Sequence, residues 1–392
     1  MSRSRLGIYV DGPYALLDGA VAPDPADYPF LLFAYEVGGH FDSLTVFARI
    51  EPTADHADRK PLPSDVLVAQ LPGYGSLRQP LAVVGTTYAT AKAFWRALGD
   101  VDVVWVFGPH PFGMVLIALA HLRRKRVILG VRQDTVSYYR SRLPGRRWRL
   151  AAPAVRLLDG LHRRLGRRLR TTVVGAPNHT RYGGPRPGVL EMTVSLVRAG
   201  DAQAAPRPDW EPPLDLLTVG RIDREKNPML LLDALAELES SDPKRFRLTW
   251  VGTGPLAEAV RSRADELGVG ERLVLSGYLP FGPELLAAYR SADAFVHVSL
   301  TEGLPQVLVE ALSFRLPIVA TDVGGVRAAL DDGHAGLLVP PNDRGALVEA
   351  IRRIADDSKL RAALVARGGD IVRELTLEEQ SGRAARFILG RS

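Results

Sequence analysis

The amino-acid sequence predicts an α/β protein of two domains, each built on a doubly wound parallel β-sheet with helices on both faces. Short runs that are apolar on both faces alternate with helical patterns along the chain, as in parallel sheets covered on both sides. A length of 392 residues exceeds one ordinary hydrophobic core. The stretch 199–213 contains four prolines and predicts an interdomain linker.

Composition limits the classes of protein that fit. Hydrophobic residues make up 46% of the chain and charged residues 24%, which is ordinary for a soluble globular protein. The chain has no cysteine, which excludes disulfides and thiolate chemistry. It also lacks the long apolar run of a membrane span or a signal peptide, so we expect a cytosolic protein. The first 200 residues carry 27 Lys and Arg against 15 Asp and Glu, whereas the remainder is net negative, so an anionic partner is expected for the first half.

The first half predicts a regular alternation of strands and helices. Helical patterns fill 29–38, 80–98 and the stretch that ends at Leu122, and residues 11–27 predict a loop because they are rich in Gly, Pro, Ala and Asp. The predicted strands lie at 6–10, 41–50, 65–72, 102–107, 126–132, 170–176 and 189–197.

Residues 140–170 differ from the rest of the first half. Eleven arginines are interleaved with Leu, Trp, Ala and Val, and Asp159 is the one acid among them. The pattern predicts either a basic amphipathic helix on anionic lipid or a solvated arginine face whose stems pack over the sheet. Nucleic acid is disfavoured because no recognisable nucleic-acid module accompanies the charge.

The second half predicts another doubly wound domain. A helical tail follows at about 343–390, and His297, inside an apolar run, is predicted to be structural. The predicted strands lie at 214–220, 246–252, 271–277, 294–300, 317–322 and 336–341.

Charged side chains follow two of these strands, where ligands of open α/β sheets bind. Arg221 and Lys226, in VGRIDREKNP, can hold a diphosphate and stabilise charge on a leaving phosphate. The segment TEGLPQVLVE offers Glu302 and Glu310 for hydroxyl groups. A helix predicted to begin at Pro305 would present free amides to phosphate.

Each of these features also has a purely structural interpretation. The two cations could pair with Asp223 and Glu225, and Glu302 and Glu310 could be a solvated glutamate and a helix-face glutamate. The glycines of VGTGP and DVGGV could serve turn geometry. The backbone of SGYLP could pair with a planar base or simply close a turn. Their joint occurrence, in order, at the carboxyl ends of strands in one sheet favours a ligand site.

Residues 214 to about 345 resemble the donor-binding domain of the retaining glycosyltransferases of family 4, which have the GT-B fold. The resemblance covers about one third of the chain, and the first half matches only in its βα rhythm. It implies two Rossmann-like domains facing across a cleft, with the acceptor domain at 1–200, the donor domain at 201–375 and a C-terminal helix, 376–392, packing on the first domain. The matching segments are GRIDREKNP, VGTGP, SGYLP, SADAFVHVSLTEGLPQVLVEAL, PIVATDVGG and GLLVPPND.

The resemblance implies a UDP- or GDP-sugar donor and assigns residues to its parts. Arg221 and Lys226 would bind the diphosphate and help the phosphate leave, and Glu302 would bind sugar hydroxyls. Retention by front-face attack would need no metal and no cofactor, and no Asp-x-Asp motif stands at a strand end. The further donor residues are Gly220 and Gly252, Leu279 for the base, Gly303, Leu304 and Pro305 for the sugar, Gln306 and Val307 for phosphate, and Glu310 for the ribose.

The first half departs from the family pattern at its expected site residues. The nearest histidine to the family's catalytic position is His110, in GPHPFG, which could instead cap the following helix. Arg132 and Asp134 are candidates for binding acceptor or phosphate. Gly19, or alternatively Gly12, would replace the usual Gly-Gly loop.

The resemblance therefore predicts a retaining hexosyltransferase that acts on a lipid-linked or small glycoside hydroxyl, in glycolipid, polysaccharide or glycoconjugate synthesis. A location on the inner face of the membrane is expected if the arginine-rich segment binds lipid. Two alternatives stay open: a nucleotide-sugar 2-epimerase of the same architecture, and a non-catalytic membrane-surface protein.

Overall fold

The structure, a computed structural model, describes two compact units. The first unit comprises the residues up to Val194 together with those from Glu378 onward, and the second runs from Ser195 to Leu377. The residues described are 4–25, 27–51, 59–73, 80–108, 110–132, 136, 139, 146–201, 210–302 and 305–390.

Among the described residues of the first unit, seven parallel strands form one sheet. They lie in the order β5-β4-β1-β6-β7-β8-β9, so the chain progresses in opposite directions on either side of the junction between β1 and β6. A separate antiparallel pair joins β2 and β3. The strands are β1 (Arg5–Tyr9), β2 (Ala15–Leu17), β3 (Ala20–Ala22), β4 (Ser43–Ile50), β5 (Leu67–Pro72), β6 (Val103–Gly108), β7 (Arg126–Val131), β8 (Arg170–Val174) and β9 (Val189–Met192).

The helices of the first unit begin where the sequence favours it. Pro29 and Pro111 stand in the first turns of two of them, where a missing N–H costs nothing. Buried apolar residues of β6 and the third helix, among them Val104 and Leu116, form part of one core. The helices are α1 (Tyr28–Gly38), α2 (Pro80–Ala97), α3 (Pro111–Leu122), α4 (Arg146–Gly166) and α5 (Ala176–Arg181).

Two predictions for the first half are wrong in detail. The stretch 11–27 is not all loop, because β2 and β3 form a short hairpin whose turn residues, Asp18 and Gly19, both have positive φ. The last strand ends at Met192 instead of continuing to 197, because the amide of Thr193 donates to the side chain of Gln380. Most of the predicted linker, 202–209, lies outside the described residues.

Helix α13 (Leu377–Leu389) packs with the first unit, although it follows the second unit in sequence. Arg126 Nη1 donates to the carbonyl of Leu389 at 3.0 Å. The guanidinium of Arg170 lies 4.4 Å from the centre of the Phe387 ring. The buried face of the helix includes Ile388, so apolar packing accompanies these polar contacts.

The described residues of the second unit form a six-stranded parallel sheet in the order β12-β11-β10-β13-β14-β15. Its strands are β10 (Leu214–Val219), β11 (Phe246–Val251), β12 (Leu273–Gly277), β13 (Ala294–His297), β14 (Ile318–Thr321) and β15 (Leu337–Val339). The chain progresses in opposite directions from the junction between β10 and β13.

Helices cover both faces of this second sheet, and a separate apolar core lies on each face. One core includes Leu231 and Leu248, and the other includes Phe295 and Leu308. The second doubly wound domain and the helical tail are therefore confirmed. The helices are α6 (Pro228–Ser241), α7 (Ala257–Glu266), α8 (Pro283–Ser291), α9 (Gln306–Ser313), α10 (Val326–Ala329), α11 (Arg344–Asp356) and α12 (Ser358–Glu374).

Candidate active site

The candidate site lies at the carboxyl ends of β10 and β13 in the second unit. These neighbouring strands mark the point where the strand order reverses. Crevices at such points are where open α/β sheets bind ligands. Gly220 directly follows β10, and His297 is the last residue of β13.

A one-turn 3-10 helix, Arg224–Lys226, fixes the cation at this edge. The carboxylate of Asp223 caps the turn by accepting from the amides of Glu225 at 3.0 Å and Lys226 at 3.2 Å. The carbonyl of Glu225 accepts from the amide of Leu300 at 2.8 Å, which joins this turn to the loop that follows β13. The backbone therefore holds Lys226 beside the loop that carries Glu302.

Three polar side chains meet at one oxygen. Lys226 Nζ donates to Glu302 Oε1, and His297 Nε2 lies 3.0 Å from the same atom. The side chains of Lys226, Glu302 and His297 are 22%, 11% and 3% exposed, so the cluster is largely withdrawn from water. The sequence analysis treated His297 as structural. It was placed in the middle of a predicted strand, 294–300, whereas the strand of the structure ends at His297.

The cluster keeps Glu302 ionised. Burial alone would raise the pKa of this carboxyl, but the contact with His297 and the charge of Lys226 oppose burial and lower the pKa to about 2. The carboxylate is therefore an acceptor at neutral pH. Because both nitrogens contact Oε1, Oε2 is the oxygen left for a ligand hydroxyl.

Arg221 lies at the same edge but is far more exposed. Its side chain is 70% exposed and lies 3.1 Å from Asp223 Oδ2 and 3.4 Å from Glu225 Oε2. The structural pairing considered from the sequence is therefore present. Exposed pairs of this kind contribute little to stability, so an anionic ligand can compete for the guanidinium.

Two glycines let the loops at this edge approach one another closely. Gly252 has a φ of 145°, and a Cβ there would lie 2.0 Å from the carbonyl oxygen of Gly220. Gly324 has a φ of 54°, and a Cβ there would lie 1.9 Å from the carbonyl oxygen of Glu302. Any side chain would push the loops apart. The glycine turns predicted from sequence therefore set the spacing of the site.

The second glutamate has a different environment from the first. Glu310, on α9, is buried, and its Oε2 accepts from the Tyr289 hydroxyl at 2.6 Å. Burial raises the pKa of Glu310, and the hydrogen bond from Tyr289 opposes this rise. Leu279 is half-buried against the same apolar core. Glu310 thus lies on a helix, as the structural interpretation had it, but it is buried and oriented by a hydrogen bond.

Helix α9 begins one residue later than predicted. Pro305 is the flanking residue in extended conformation, and the helix starts at Gln306 because Pro305 has a ψ of 112°. The amides of Gln306 and Val307 are in the first turn, where helical partners are lacking. Gly303 and Leu304 lie outside the described residues.

The corresponding edge of the first unit carries a histidine and a carboxylate. His110 precedes α3, but its side chain makes no capping bond, and its Nε2 lies 3.2 Å from Asp11 Oδ2. The Tyr9 hydroxyl donates to Asp11 Oδ1 at 2.6 Å. Burial lowers the pKa of His110 despite the opposing charge of Asp11, so the ring is neutral at pH 7. Sequence reasoning missed Asp11, which stands just after the end of β1.

The other candidate residues of the first unit that the structure describes lie beside Asp27 or at the tip of a hairpin. Arg132 Nη1 donates to Asp27 Oδ1 at 2.7 Å, and its guanidinium lies 4.4 Å from the centre of the Phe30 ring. Gly19 is at the tip of the β2–β3 hairpin. Gly12 lies beside Asp27, since a Cβ there would be 2.7 Å from Asp27 Oδ2. Asp134 lies outside the described residues.

The part of the chain that the structure describes contains no group of three or more His, Asp or Glu side chains that could hold a metal ion. Within the same ranges, no helix has the length and apolar character needed to cross a membrane.

Comparison with known sequences finds a family match that lies within the second unit. Residues 204–369 match the family model described as glycosyl transferases group 1. D-inositol 3-phosphate glycosyltransferase of Corynebacterium efficiens is 37% identical over 148 residues, which are 36% of this chain and 35% of the relative. A Campylobacter jejuni relative is 29% identical over 151 residues, which are 38% of this chain and 41% of the relative. The matches thus span less than half the length of these curated relatives.

The Campylobacter relative is named as an enzyme that acts on an undecaprenol-linked oligosaccharide. Its full name is GalNAc-α-(1→4)-GalNAc-α-(1→3)-diNAcBac-PP-undecaprenol α-1,4-N-acetyl-D-galactosaminyltransferase. Among solved structures, Anabaena Alr3699/HepE in complex with UDP superposes with a TM-score of 0.72 at 14% identity, covering 99% of this chain and all of that one. Together with the two parallel-sheet units, this likeness confirms the predicted GT-B fold.

Proposed function

We propose that this chain, whose residues 204–369 form a group 1 glycosyltransferase domain, moves a hexose from a nucleotide diphosphate sugar to an acceptor hydroxyl with retention of configuration. The observation that carries the proposal is the Lys226–Glu302–His297 cluster at the reversal point of the second sheet. It combines a cation for phosphate with an ionised carboxylate for hydroxyls, which are the two groups that a sugar phosphate presents.

The donor is proposed to bind with its diphosphate near Arg221 and Lys226. The Arg221 side chain is 70% exposed, so its guanidinium is open to a ligand, whereas Lys226 is held by the capped turn. The amides of Gln306 and Val307 add donors at a helix start. A UDP- or GDP-sugar fits this arrangement, and the HepE complex with UDP supports a nucleotide diphosphate ligand for a protein of this fold.

The sugar and ribose are proposed to be read by the two glutamates. Glu302 accepts from a sugar hydroxyl through Oε2, because Oε1 is already occupied by Lys226 and His297. Glu310 would accept from the ribose hydroxyls while Tyr289 holds its other oxygen. Gly220 and Gly252 line the donor side, Pro305 presents backbone to the sugar, and Leu279 presents backbone to the base.

Transfer is proposed to proceed by front-face attack. The bond between the anomeric carbon and the phosphate oxygen breaks, and the acceptor oxygen bonds to that carbon on the same face. The acceptor proton passes to an oxygen of the leaving phosphate. Arg221 and Lys226 stabilise the negative charge that develops there, so the reaction requires neither a metal nor a cofactor.

The acceptor is proposed to be a lipid-linked or small glycoside bound by the first unit. His110, oriented by Asp11, and Arg132 are the candidate contacts, and Asp134 is a further acceptor-side candidate, whereas Gly19 is proposed for the donor. The name of the Campylobacter relative supports a lipid-linked acceptor in glycolipid, polysaccharide or glycoconjugate synthesis.

Helix α4 supports a cytoplasmic location on the anionic inner face of a membrane. Leu150, Leu157 and Leu161 fall on one helical face, at spacings of seven and four residues, and are 84%, 66% and 46% exposed. On the opposite side Asp159 and His162 are 2% and 1% exposed. The helix thus buries Asp159 and His162 beside Ala152 and Val155, whereas these three leucines are exposed among arginines.

Asp159 and His162 each have a partner within the unit, so these two buried groups do not explain the exposed leucines. Asp159 Oδ2 lies 3.0 Å from Arg163 Nε and 2.9 Å from Arg181 Nη2. His162 Nδ1 lies 2.7 Å from the Tyr182 hydroxyl. Exposed arginines flank the leucines without an accompanying acid, which suits insertion at an anionic lipid interface. They are Arg149, Arg156, Arg164, Arg167 and Arg168.

Vesicle sedimentation tests the membrane proposal. The protein should bind phosphatidylglycerol vesicles, bind phosphatidylcholine vesicles much less, and lose binding when Leu150, Leu157 and Leu161 are all changed to Ser. Leu122→Ser is the matched control, because Leu122 is 72% exposed on another helix. Equal binding by the triple variant and the control would contradict the proposal.

A transfer assay tests the central proposal. Purified protein is incubated with UDP- or GDP-hexoses and polyprenyl-linked acceptors, and the product is examined by NMR for its anomeric configuration. The proposal expects acceptor-dependent product with the configuration of the donor. Interconversion of donor sugars without an acceptor would favour the 2-epimerase instead, and inverted product would contradict the front-face mechanism.

A further inference from the structure

We infer that His297 is a positioning residue for Glu302, and that it directs one oxygen of this carboxylate toward the sugar hydroxyls of the donor. The inference deepens the proposed function and rests on it for the identity of the ligand. It rests on the geometry of the described residues for the role of the histidine.

The first support is the shared oxygen. Lys226 Nζ and His297 Nε2 approach Glu302 Oε1 from two different elements, the 3-10 turn after β10 and the end of β13. A carboxylate held at one oxygen by a single flexible lysine could still rotate about its last side-chain bond. A second nitrogen on the same oxygen, carried by a strand, removes that freedom and fixes the direction of Oε2.

The second support is the rigidity of His297 itself. Its side chain is 3% exposed, and its ring lies nearly parallel to the Phe295 ring, at 15° and 6.4 Å between centres. Its backbone belongs to a central strand that pairs with Ala320 of β14. The imidazole therefore has no route to solvent and keeps its Nε2 at the carboxylate. The 3.0 Å contact with an ionised oxygen is attractive when Nε2 carries a proton, as in the neutral Nε2–H tautomer and the imidazolium, and its angle departs from that of an ideal hydrogen bond.

The third support is that the charged groups on the neighbouring strand-end loops, other than Lys226, do not hold the Glu302 carboxylate. From the β14 side, Gly324 presents backbone to Glu302, and Asp322 is paired with Arg327. From the β10 side, Asp223 and Glu225 face Arg221, which leaves Lys226 for Glu302. Within the described residues, His297 and Lys226 are thus the two charged or titratable groups that contact the Glu302 carboxylate.

The histidine also has an electrostatic consequence. Burial works to raise the pKa of Glu302, and His297 and Lys226 together lower it to about 2. If the donor of His297 is removed, Glu302 becomes easier to protonate. Because the proposed role requires the ionised form, the acidic limb of the pH profile should move to higher pH.

The test compares three single variants. His297→Leu removes the donor, His297→Gln keeps an N–H donor of similar reach, and Glu302→Gln removes the charge that is positioned. His297→Leu should lower kcat/KM for the donor by about 10- to 100-fold, as misplacement of a reacting group does. The acidic limb should move upward in pH, and His297→Gln should restore most of the rate. Circular dichroism and the Tm confirm that each variant is folded.

A double variant supplies the decisive readout. In the Glu302→Gln background, His297→Leu should cause little further loss, because its partner is already gone. Full additivity, a wild-type pH profile in His297→Leu, or equal loss in His297→Gln would each overturn the positioning role. Should His297→Leu fail to fold, the pH profiles of His297→Gln and His297→Asn decide, since only the longer amide reaches the position of Nε2. If wild-type protein transfers no sugar but His297→Leu still weakens UDP-sugar binding, the proposed function fails and the inference survives.

Discussion

In the second unit the sheet edge at β10 and β13 presents a lysine, a histidine and a carboxylate, whereas in the first unit the edge at β1 and β6 presents a histidine and a carboxylate without a lysine. Both edges are reversal points of parallel sheets. Glu302 is held by two nitrogens at one oxygen. Asp11 instead receives the Tyr9 hydroxyl on one oxygen and faces His110 with the other.

This difference separates two kinds of ligand chemistry. The second edge joins positive charge to an ionised acceptor, which suits a phosphorylated sugar. The first edge also has a cation, since Arg49 Nε lies 3.6 Å from Asp11 Oδ1, but Arg49 is paired with Glu51 through Nη1 at 2.5 Å. Burial lowers the pKa of His110 at this edge, so its ring is neutral at pH 7, which suits contact with an uncharged hydroxyl. Under the proposed function, one architecture repeated twice would serve the donor at one edge and the acceptor at the other, through the few side chains that follow its strands.

The largest expected effect comes from substitutions at the β10–β13 edge of the second unit, which is proposed to bind the donor. Lys226→Ala should lower kcat by about 100-fold or more, because a preorganised cation facing the leaving phosphate is lost. Glu302→Gln should have a comparable effect, since it removes the charged acceptor for sugar hydroxyls. Steady-state kinetics with a saturating acceptor measures both.

Two exposed residues of the second unit provide matched controls for these substitutions. Lys359→Ala and Glu349→Gln change the same residue types on α12 and α11, and both positions are exposed. They should leave kcat unchanged. Near-normal turnover in Lys226→Ala or Glu302→Gln would show that the donor site is elsewhere.

An intermediate effect is expected from a substitution at the β1–β6 edge of the first unit, which is proposed to bind the acceptor. Asp11→Asn should lower kcat/KM for the acceptor by about tenfold, because His110 loses the carboxylate that orients it. Binding of the donor alone, measured by calorimetry, should stay at the wild-type level. If the variant instead lost donor binding and kept acceptor kinetics, the division of labour between the edges would be reversed.

The smallest expected effect on turnover, with a distinct effect on stability, comes from Glu310→Gln. Donor affinity should fall by about tenfold or less, the value of one charge-assisted hydrogen bond. Because burial raises the pKa of Glu310 above its usual 4.5, ionisation of this group opposes folding as the pH rises. The variant should therefore have a higher Tm than the wild type at pH 8.

That Tm difference should shrink as the pH falls toward 4, where the carboxyl is protonated in both the folded and the unfolded chain. Thermal unfolding at several pH values provides the measurement. A Tm difference that stays constant with pH, or that grows at low pH, would show that the buried carboxyl is not the cause.

Site residues that lie in recognisable local segments could be predicted from the sequence, whereas residues brought together only by the fold could not. Lys226 and Glu302 lie in recognisable segments at strand ends, so chemistry and family resemblance both indicated them. Asp11 and His110 are brought together only by the adjacency of β1 and β6, which no local pattern encodes. His297 was assigned a structural role because its neighbours are apolar, and only the fold shows that a strand's last residue faces the site.

Two further differences have equally local causes. The β2–β3 hairpin was missed because its strands have three residues each and lack a clear alternation. Glu310 was expected among ribose hydroxyls from the family resemblance, which carried no sign of the hydrogen bond from Tyr289, contributed by α8. By contrast, the long apolar strands of both sheets were predicted to within a few residues, because burial on both faces leaves a strong compositional signal.

The most direct test of the central claim is thermal unfolding of the wild type and Lys226→Ala with UDP-, GDP-, ADP- and TDP-sugars. A ligand that binds the native state raises the Tm, and the rise grows with the logarithm of its concentration above Kd. The account predicts that a UDP- or GDP-sugar raises the Tm of the wild type and of Lys359→Ala, and that Lys226→Ala shows little or no rise. An equal rise in Lys226→Ala would contradict a nucleotide-sugar site at the β10–β13 edge.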